Sequence, residues 1–129
     1  MGREQRVTLH LPSTAETRGL VDGDTIARMK DGALLVNVAR GAIVRTPALI
    51  EALRGGKIGG AALDVVDPEP IDDDSPLLEM DNVVITSHIA SASVRTGQAL
   101  RARVTDIVAG AVRGDALPPS VNGVAAPRG

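Results

Sequence analysis

The sequence has no cysteine, no phenylalanine, no tryptophan and no tyrosine. Without cysteine there is neither a disulfide framework nor a thiolate metal site, which fits the cytoplasm. Without aromatic side chains there is no platform on which nucleic-acid bases could stack. Basic charge is not in excess either. The 14 Lys and Arg against 16 Asp and Glu leave a net charge of −2, so there is no electrostatic footprint for nucleic acid. Apolar runs long enough to cross a bilayer are absent. The opening Met1-Gly2-Arg3-Glu4-Gln5-Arg6 lacks the apolar stretch of a signal peptide, and Arg6 stands where myristoylation needs Ser or Thr. These features predict a soluble, cytoplasmic protein with no nucleic-acid and no membrane partner. Metal-ligand spacings such as His-Glu-x-x-His are missing, and Asp72-Asp73-Asp74 reads as a solvated loop, so no metal is expected.

What is present is Ala, Val, Leu and Ile, suited to tightly packed α/β layers, in a chain whose 129 residues suit one domain. The stretch Leu34 to Val44 organises the reading: two short apolar runs, each expected to be buried strand, flank Arg40-Gly41. Arg40 then lies just past a strand end, on a loop that Gly41 lets turn sharply. Taken in order, the chain predicts a strand over Val7–Leu11 closed by Pro12, then a loop over Ser13–Gly23. Asp24 is expected to cap a short helix from Thr25 to Lys30. After the strand through Val36, Thr46-Pro47 opens a second helix that Gly55-Gly56 stops. A third strand begins at Ile58 and ends near Val65, and two prolines hold Asp67-Pro68-Glu69-Pro70 extended. A helical turn over Pro76–Met80 and a strand over Val83–Thr86 follow. The longest helix runs from about Ser93 to Val112, with Leu100, Val104, Ile107 and Ala111 at helical spacing.

Strands that alternate with helices pair in parallel through right-handed crossovers, so their carboxyl ends share one edge, where ligands of open α/β sheets bind. His10, Arg40, Glu69 and His88 fall at or beyond such ends, and Asp64 lies near the third. Each has a plain alternative: a surface cation, a loop acid, a cap, or, for His10, a strand residue with a satisfied ring. Together an Arg, a Glu and a His suit proton-coupled reduction of a carbonyl beside a carboxylate. An imidazole exchanges the proton, a carboxylate orients its second nitrogen, and a guanidinium clamps the substrate carboxylate. No Gly-x-Ser-x-Gly elbow favours a hydrolase.

In chain order, His10-Leu11-Pro12, Asn37-Val38-Ala39-Arg40-Gly41, Ala62-Leu63-Asp64-Val65, Glu69-Pro70 and Thr86-Ser87-His88-Ile89-Ala90 closely resemble the D-isomer-specific 2-hydroxyacid dehydrogenases, which include phosphoglycerate dehydrogenase and glyoxylate/hydroxypyruvate reductases. The resemblance runs from Val7 to about Asn122. It implies that Arg40, Glu69 and His88 are catalytic and that the cofactor is NAD. The implied NAD contacts are Leu11, Val38, Ala39, Arg40, Asp64, His88, Ala90 and Ser91. The implied substrate is a small 2-hydroxy or 2-keto acid. The chain departs from the family at Arg45, where an aspartate is usual, at Ser87, where a proline is frequent, and at Val66, where an aromatic is common. None of these is a catalytic position.

The family's Gly-x-Gly-x-x-Gly turn and the acidic residue that follows it do not occur here. Residues 1–122 are therefore expected to be an incomplete NAD-binding domain lacking that half, with 123–129 a flexible tail. The expected fold is a partial Rossmann-like, doubly wound parallel sheet of about four strands with a long C-terminal helix. Such a half sheet should associate, as a homo-oligomer or with its missing half, because parallel sheets need both faces covered. The leading function is hydride transfer between NAD and a 2-hydroxy or 2-keto acid. The alternative is a non-catalytic fragment that binds or regulates a full-length dehydrogenase.

Overall fold

A computed structural model describes residues 5–116 and 118, in two compact units, Met1–Ala90 and Ser91–Gly129. The expected tail at 123–129 lies outside the described residues. In the first unit four strands, β1 (Arg6–Leu9), β2 (Ala33–Asn37), β3 (Ile58–Leu63) and β4 (Val83–Ile85), form one sheet in the order β1-β2-β3-β4, every pair parallel. Helix α1 (Gly23–Ala27) and helix α2 (Thr46–Arg54) make the first two crossovers. The third contains a 3-10 turn over Pro76–Glu79.

One face of the sheet carries the core. Leu9, Ala33, Leu35, Ile58, Ala61 and Leu63 pack with Ile26, Leu49, Leu53 and Leu77, all at most 7 % exposed. Removing a large aliphatic side chain from water is worth about 1.5–3 kcal/mol, so such a cluster can hold the layers together without any aromatic ring. The opposite face is barer: Val36 and Ala62 are half-buried, and Val84 is 61 % exposed.

Several expected details differ. The second apolar run, Ala42–Val44, is not a strand. Gly41–Ile43 form a 3-10 turn, and Val44 makes an isolated parallel bridge with Val21, which is 2 % exposed inside the expected loop. Gly41 does not turn the chain through a positive φ. A Cβ there would lie 1.8 Å from the Val66 carbonyl oxygen, so its absence permits a close approach of two segments. Helix α1 is capped by Asp22, whose carboxylate accepts from the Thr25 N–H, rather than by Asp24. Helix α2 begins at Thr46, whose hydroxyl donates to the Asp67 carbonyl instead of capping, and Arg45 at the N-cap supplies no side-chain bond. β3 stops at Leu63, and residues 67–70 form a bend rather than an extended segment, with the Asp67–Pro68 and Glu69–Pro70 peptide bonds cis.

The second unit is built on helix α3 (Val94–Arg113). Ser93 caps it by accepting from the Thr96 N–H, and Gly114 at φ 79° ends it. Leu100 and Val104 on its apolar stripe are 63 % and 51 % exposed.

Candidate active site

All four strands end level. Leu9 pairs with Asn37, Asn37 with Leu63, and Leu63 with Ile85, so the next residues along each strand start from one edge. His10 follows β1, Val38 to Arg40 follow β2, Asp64 follows β3, and Thr86 to Ala90 follow β4. This common edge is the one that parallel pairing predicts.

The loop after β2 is held by Asn37, a fully buried amide. Its Oδ1 accepts from the Ala39 N–H at 3.1 Å and its Nδ2 donates to the Arg40 carbonyl at 3.0 Å. Arg40 itself is exposed, and one guanidinium N–H rests on the Ala39 carbonyl at 2.6 Å. His10, Leu11, Pro12, Ser13, Val38, Ala39 and Arg40 line a groove of about 510 Å³. At its rim the His10 Nε2 lies 2.7 Å from the Thr8 hydroxyl, the satisfied ring expected for that residue.

The loop after β4 is held by Asp64, which is 6 % exposed. Its Oδ1 accepts from the Thr86 hydroxyl at 2.5 Å and from the Ile89 N–H at 2.9 Å, and its Oδ2 accepts from the Ala90 N–H at 2.9 Å. The Thr86 hydroxyl, followed by the Ala90 and Ile89 N–H groups and the nearby His88, holds the Asp64 carboxyl below its ordinary value against the opposing pull of burial. The Asp64 carbonyl also accepts from the His88 N–H. That bond sits where His88 takes φ 56°, a left-handed conformation uncommon outside glycine. So held, His88 places Nδ1 2.7 Å from Glu69 Oε1, with both side chains nearly half exposed. Because a carboxylate only accepts, Nδ1 carries the hydrogen of this bond.

The structure thus joins Glu69 to His88 directly, and gives Asp64 and Ala90 a shared bond. Arg40, Val38, Ala39 and Leu11 lie on one groove, while Ser91 is the first residue of the second unit. No ion pair joins Arg40 to Glu69 or His88 among the described residues. Two contributors were not assigned a role from sequence: Asn37 and Thr86. The signal for Asn37 was an amide closing the apolar run Ala33-Leu34-Leu35-Val36, where burial demands hydrogen-bond partners.

A second, smaller pocket of about 220 Å³ lies on the same edge. Val36, Val38, Ala62, Leu63, Val84 and Ile89 give it apolar walls, and Asp64, Thr86 and Ala90 complete it. Apolar walls with one polar corner suit a flat heteroaromatic ring bearing an amide, and Asp64 Oδ2, with a single donor among the described residues, keeps acceptor capacity there. The nicotinamide of a dinucleotide is a ring of that kind. The chain has no Gly-x-Gly-x-x-Gly turn for the pyrophosphate. No group of three or more His, Asp or Glu among the described residues is arranged to hold a metal. No described helix is long and apolar enough to cross a membrane.

Comparison with known proteins points the same way. Residues 1–90 match the family described as D-isomer specific 2-hydroxyacid dehydrogenase, NAD binding domain. The chain is 52 % identical over 92 residues to a D-3-phosphoglycerate dehydrogenase of Archaeoglobus fulgidus, covering 71 % of this chain and 17 % of that one. It is 40 % identical over 116 residues to a glyoxylate reductase of Thermofilum pendens, covering 90 % and 34 %. Among solved structures it is similar to a D-isomer specific 2-hydroxyacid dehydrogenase of Xanthobacter autotrophicus in complex with NADPH and MES. The TM-score is 0.78 and the identity 39 %, over 93 % of this chain and 48 % of that one. The chain therefore spans only a minor part of these curated relatives.

Proposed function

The chain belongs to the NAD-binding domain family of the D-isomer-specific 2-hydroxyacid dehydrogenases, and from that membership we propose that it forms the catalytic edge of an NAD-dependent oxidoreductase acting on 2-hydroxy and 2-oxo acids. The observation that carries the reading is the Glu69–His88 pair, at 2.7 Å, on the sheet edge that also bears Arg40. Arg40 binds the substrate carboxylate through paired N–H groups and draws charge toward the neighbouring carbonyl oxygen. Glu69 keeps the hydrogen on Nδ1, so Nε2 of His88 is the nitrogen that gives a proton to the oxygen in reduction and takes it back in oxidation. The bound nicotinamide supplies or accepts the hydride. Leu11, Val38, Ala39, Arg40, Asp64, His88 and Ala90 form the cofactor-facing set, and Ser91 joins them by resemblance alone. Residues 1–122 act as part of an NAD-binding domain whose pyrophosphate grip lies in a glycine-rich half that this sequence does not contain.

Calorimetric titration of NADH into the chain, with Asp64→Ala as control, tests the cofactor assignment. Binding that the substitution weakens is expected, and binding that Asp64→Ala leaves unchanged overturns it. Assays of NADH oxidation with glyoxylate and hydroxypyruvate, comparing wild type with His88→Ala, test the substrate class. The half-exposed apolar face of the sheet supports association with a second copy or with the rest of a dehydrogenase domain. Light scattering that shows only monomer, together with a cooperative melt, counts against association. A cytoplasmic location, supported by the lack of cysteine, is checked by cell fractionation.

A further inference from the structure

We propose that Asn37 is a positioning residue for the substrate-carboxylate arginine, an assignment that rests on the reading of Arg40 given above. A primary amide at the end of a buried strand carries a desolvation penalty unless its donors and acceptor are matched. Asn37 is fully buried, and both ends of its amide are matched by the two residues that decide where Arg40 points. Oδ1 takes the Ala39 N–H and Nδ2 gives a hydrogen to the Arg40 carbonyl. Those two bonds close a ring of main chain around residues 37–40 and set the Val38–Ala39 and Arg40–Gly41 peptide planes, which bracket the Ala39–Arg40 pair. Arg40 is thereby held extended, at φ −148° and ψ 140°, directly before the 3-10 turn.

The effect reaches the guanidinium. The Ala39 carbonyl that receives the Arg40 Nη1 hydrogen bond belongs to the same clamped segment. A long arginine side chain loses rotamer freedom when it grips a ligand, and a prefixed backbone and a prefixed resting contact reduce that loss. Asn37 also links the two functional loops, because its backbone carbonyl accepts from the Asp64 N–H at 2.9 Å. An apolar side chain of the same size would fill the space and leave the Ala39 N–H and the Arg40 carbonyl without partners.

The test uses the full chain, isotopically labelled, with NADH present and oxamate, a 2-oxo acid analogue, as the probe. The readouts are the Arg40 Nε–Hε resonance, the apparent oxamate affinity and the exchange rate of the Ala39 amide. In the wild type oxamate is expected to shift the Arg40 resonance, and Arg40→Ala to abolish binding. Asn37→Ala is expected to weaken oxamate at least about tenfold and to speed Ala39 exchange, with the His88 ring signals unchanged. Asn37→Asp keeps the volume and the acceptor for Ala39 but loses the donor to Arg40. It carries the test if the alanine variant does not fold, with normal Ala39 exchange and weakened oxamate as its expected signature. Wild-type affinity in a folded Asn37 variant overturns the proposal. If oxamate does not perturb Arg40 in the wild type, the assignment of Arg40 fails by itself. Unchanged Ala39 exchange in Asn37→Ala then separately overturns the clamp, and accelerated exchange supports it.

Discussion

Two loops leave the carboxyl edge of the sheet, residues 38–40 after β2 and residues 86–90 after β4, and each is held by a polar side chain buried beside a strand end. After β2 the holder is the Asn37 amide, which both donates and accepts. After β4 it is the Asp64 carboxylate, which accepts from three donors. Both solve the problem of a main chain that leaves a sheet without continuing its ladder. The difference lies in what can undo them. The amide is neutral at every accessible pH, whereas the carboxyl accepts these bonds more strongly when ionised than when protonated. The loop with Arg40 is thus insensitive to protons at its support, and the loop with His88 is not.

The largest expected effect tests whether the two regions are mechanically separate. Gly41 lets the first loop approach the segment after β3, and a Cβ there would meet Val66 O at 1.8 Å and Asp67 N at 2.8 Å. Since residue 67 lies two before Glu69, which bonds His88, Gly41→Ala should disturb the loop after β2 and, through that bond, the loop after β4 together. A destabilisation of about 3 kcal/mol is expected from such an overlap with backbone, measured by urea unfolding. A cost under about 1 kcal/mol would show that the segments part without penalty.

Asp64→Asn should separate the regions. The isosteric amide cannot accept from all three donors equally, so the Ile89 and Ala90 amides should exchange at least about tenfold faster, with Ala39 unaffected. Equal acceleration in both loops would mean that they open as one unit.

A pH titration sharpens the same contrast. The folded Asp64 carboxyl is held below its ordinary value, so its contribution to stability is present above the unfolded value near about 4 and is lost as pH falls through the lower folded one. Protection of Ile89 and Ala90 should therefore fall in acid before that of Ala39. Loss in the opposite order would contradict the assignment. The smallest effect is expected for Glu69→Gln. The Glu69–His88 pair is nearly half exposed on both sides, so its loss should cost less than about 1 kcal/mol in thermal melts. The role proposed for this pair is to orient the imidazole, and the expected loss is in turnover of glyoxylate rather than in stability.

Periodicity and punctuation alone placed most of the architecture. Short β-branched runs separated by helical patterns imply a parallel sheet, and parallel pairing puts His10, Arg40, Glu69 and His88 at one edge. Local rules failed where a competing contact lay far away in sequence. Asp22 rather than Asp24 caps α1. Gly41–Ile43 form a 3-10 turn and Val44 a single bridge, and the partner of that bridge, Val21, lies in a stretch that reads as loop. Gly41 is required by a neighbour 25 residues downstream, Val66, and not by its own φ.

The sequence by itself determined the strand and helix periods, the absence of stacking and thiolate chemistry, and the identity of the Arg, Glu and His at the strand ends, since these depend on residue type and spacing. Only the tertiary structure decided which polar groups hold those residues in place. Asn37 with the Arg40 loop, and Asp64 with Thr86, Ile89 and Ala90, are matched because burial forces each donor to find an acceptor, and which one is in reach is settled by how the strands line up.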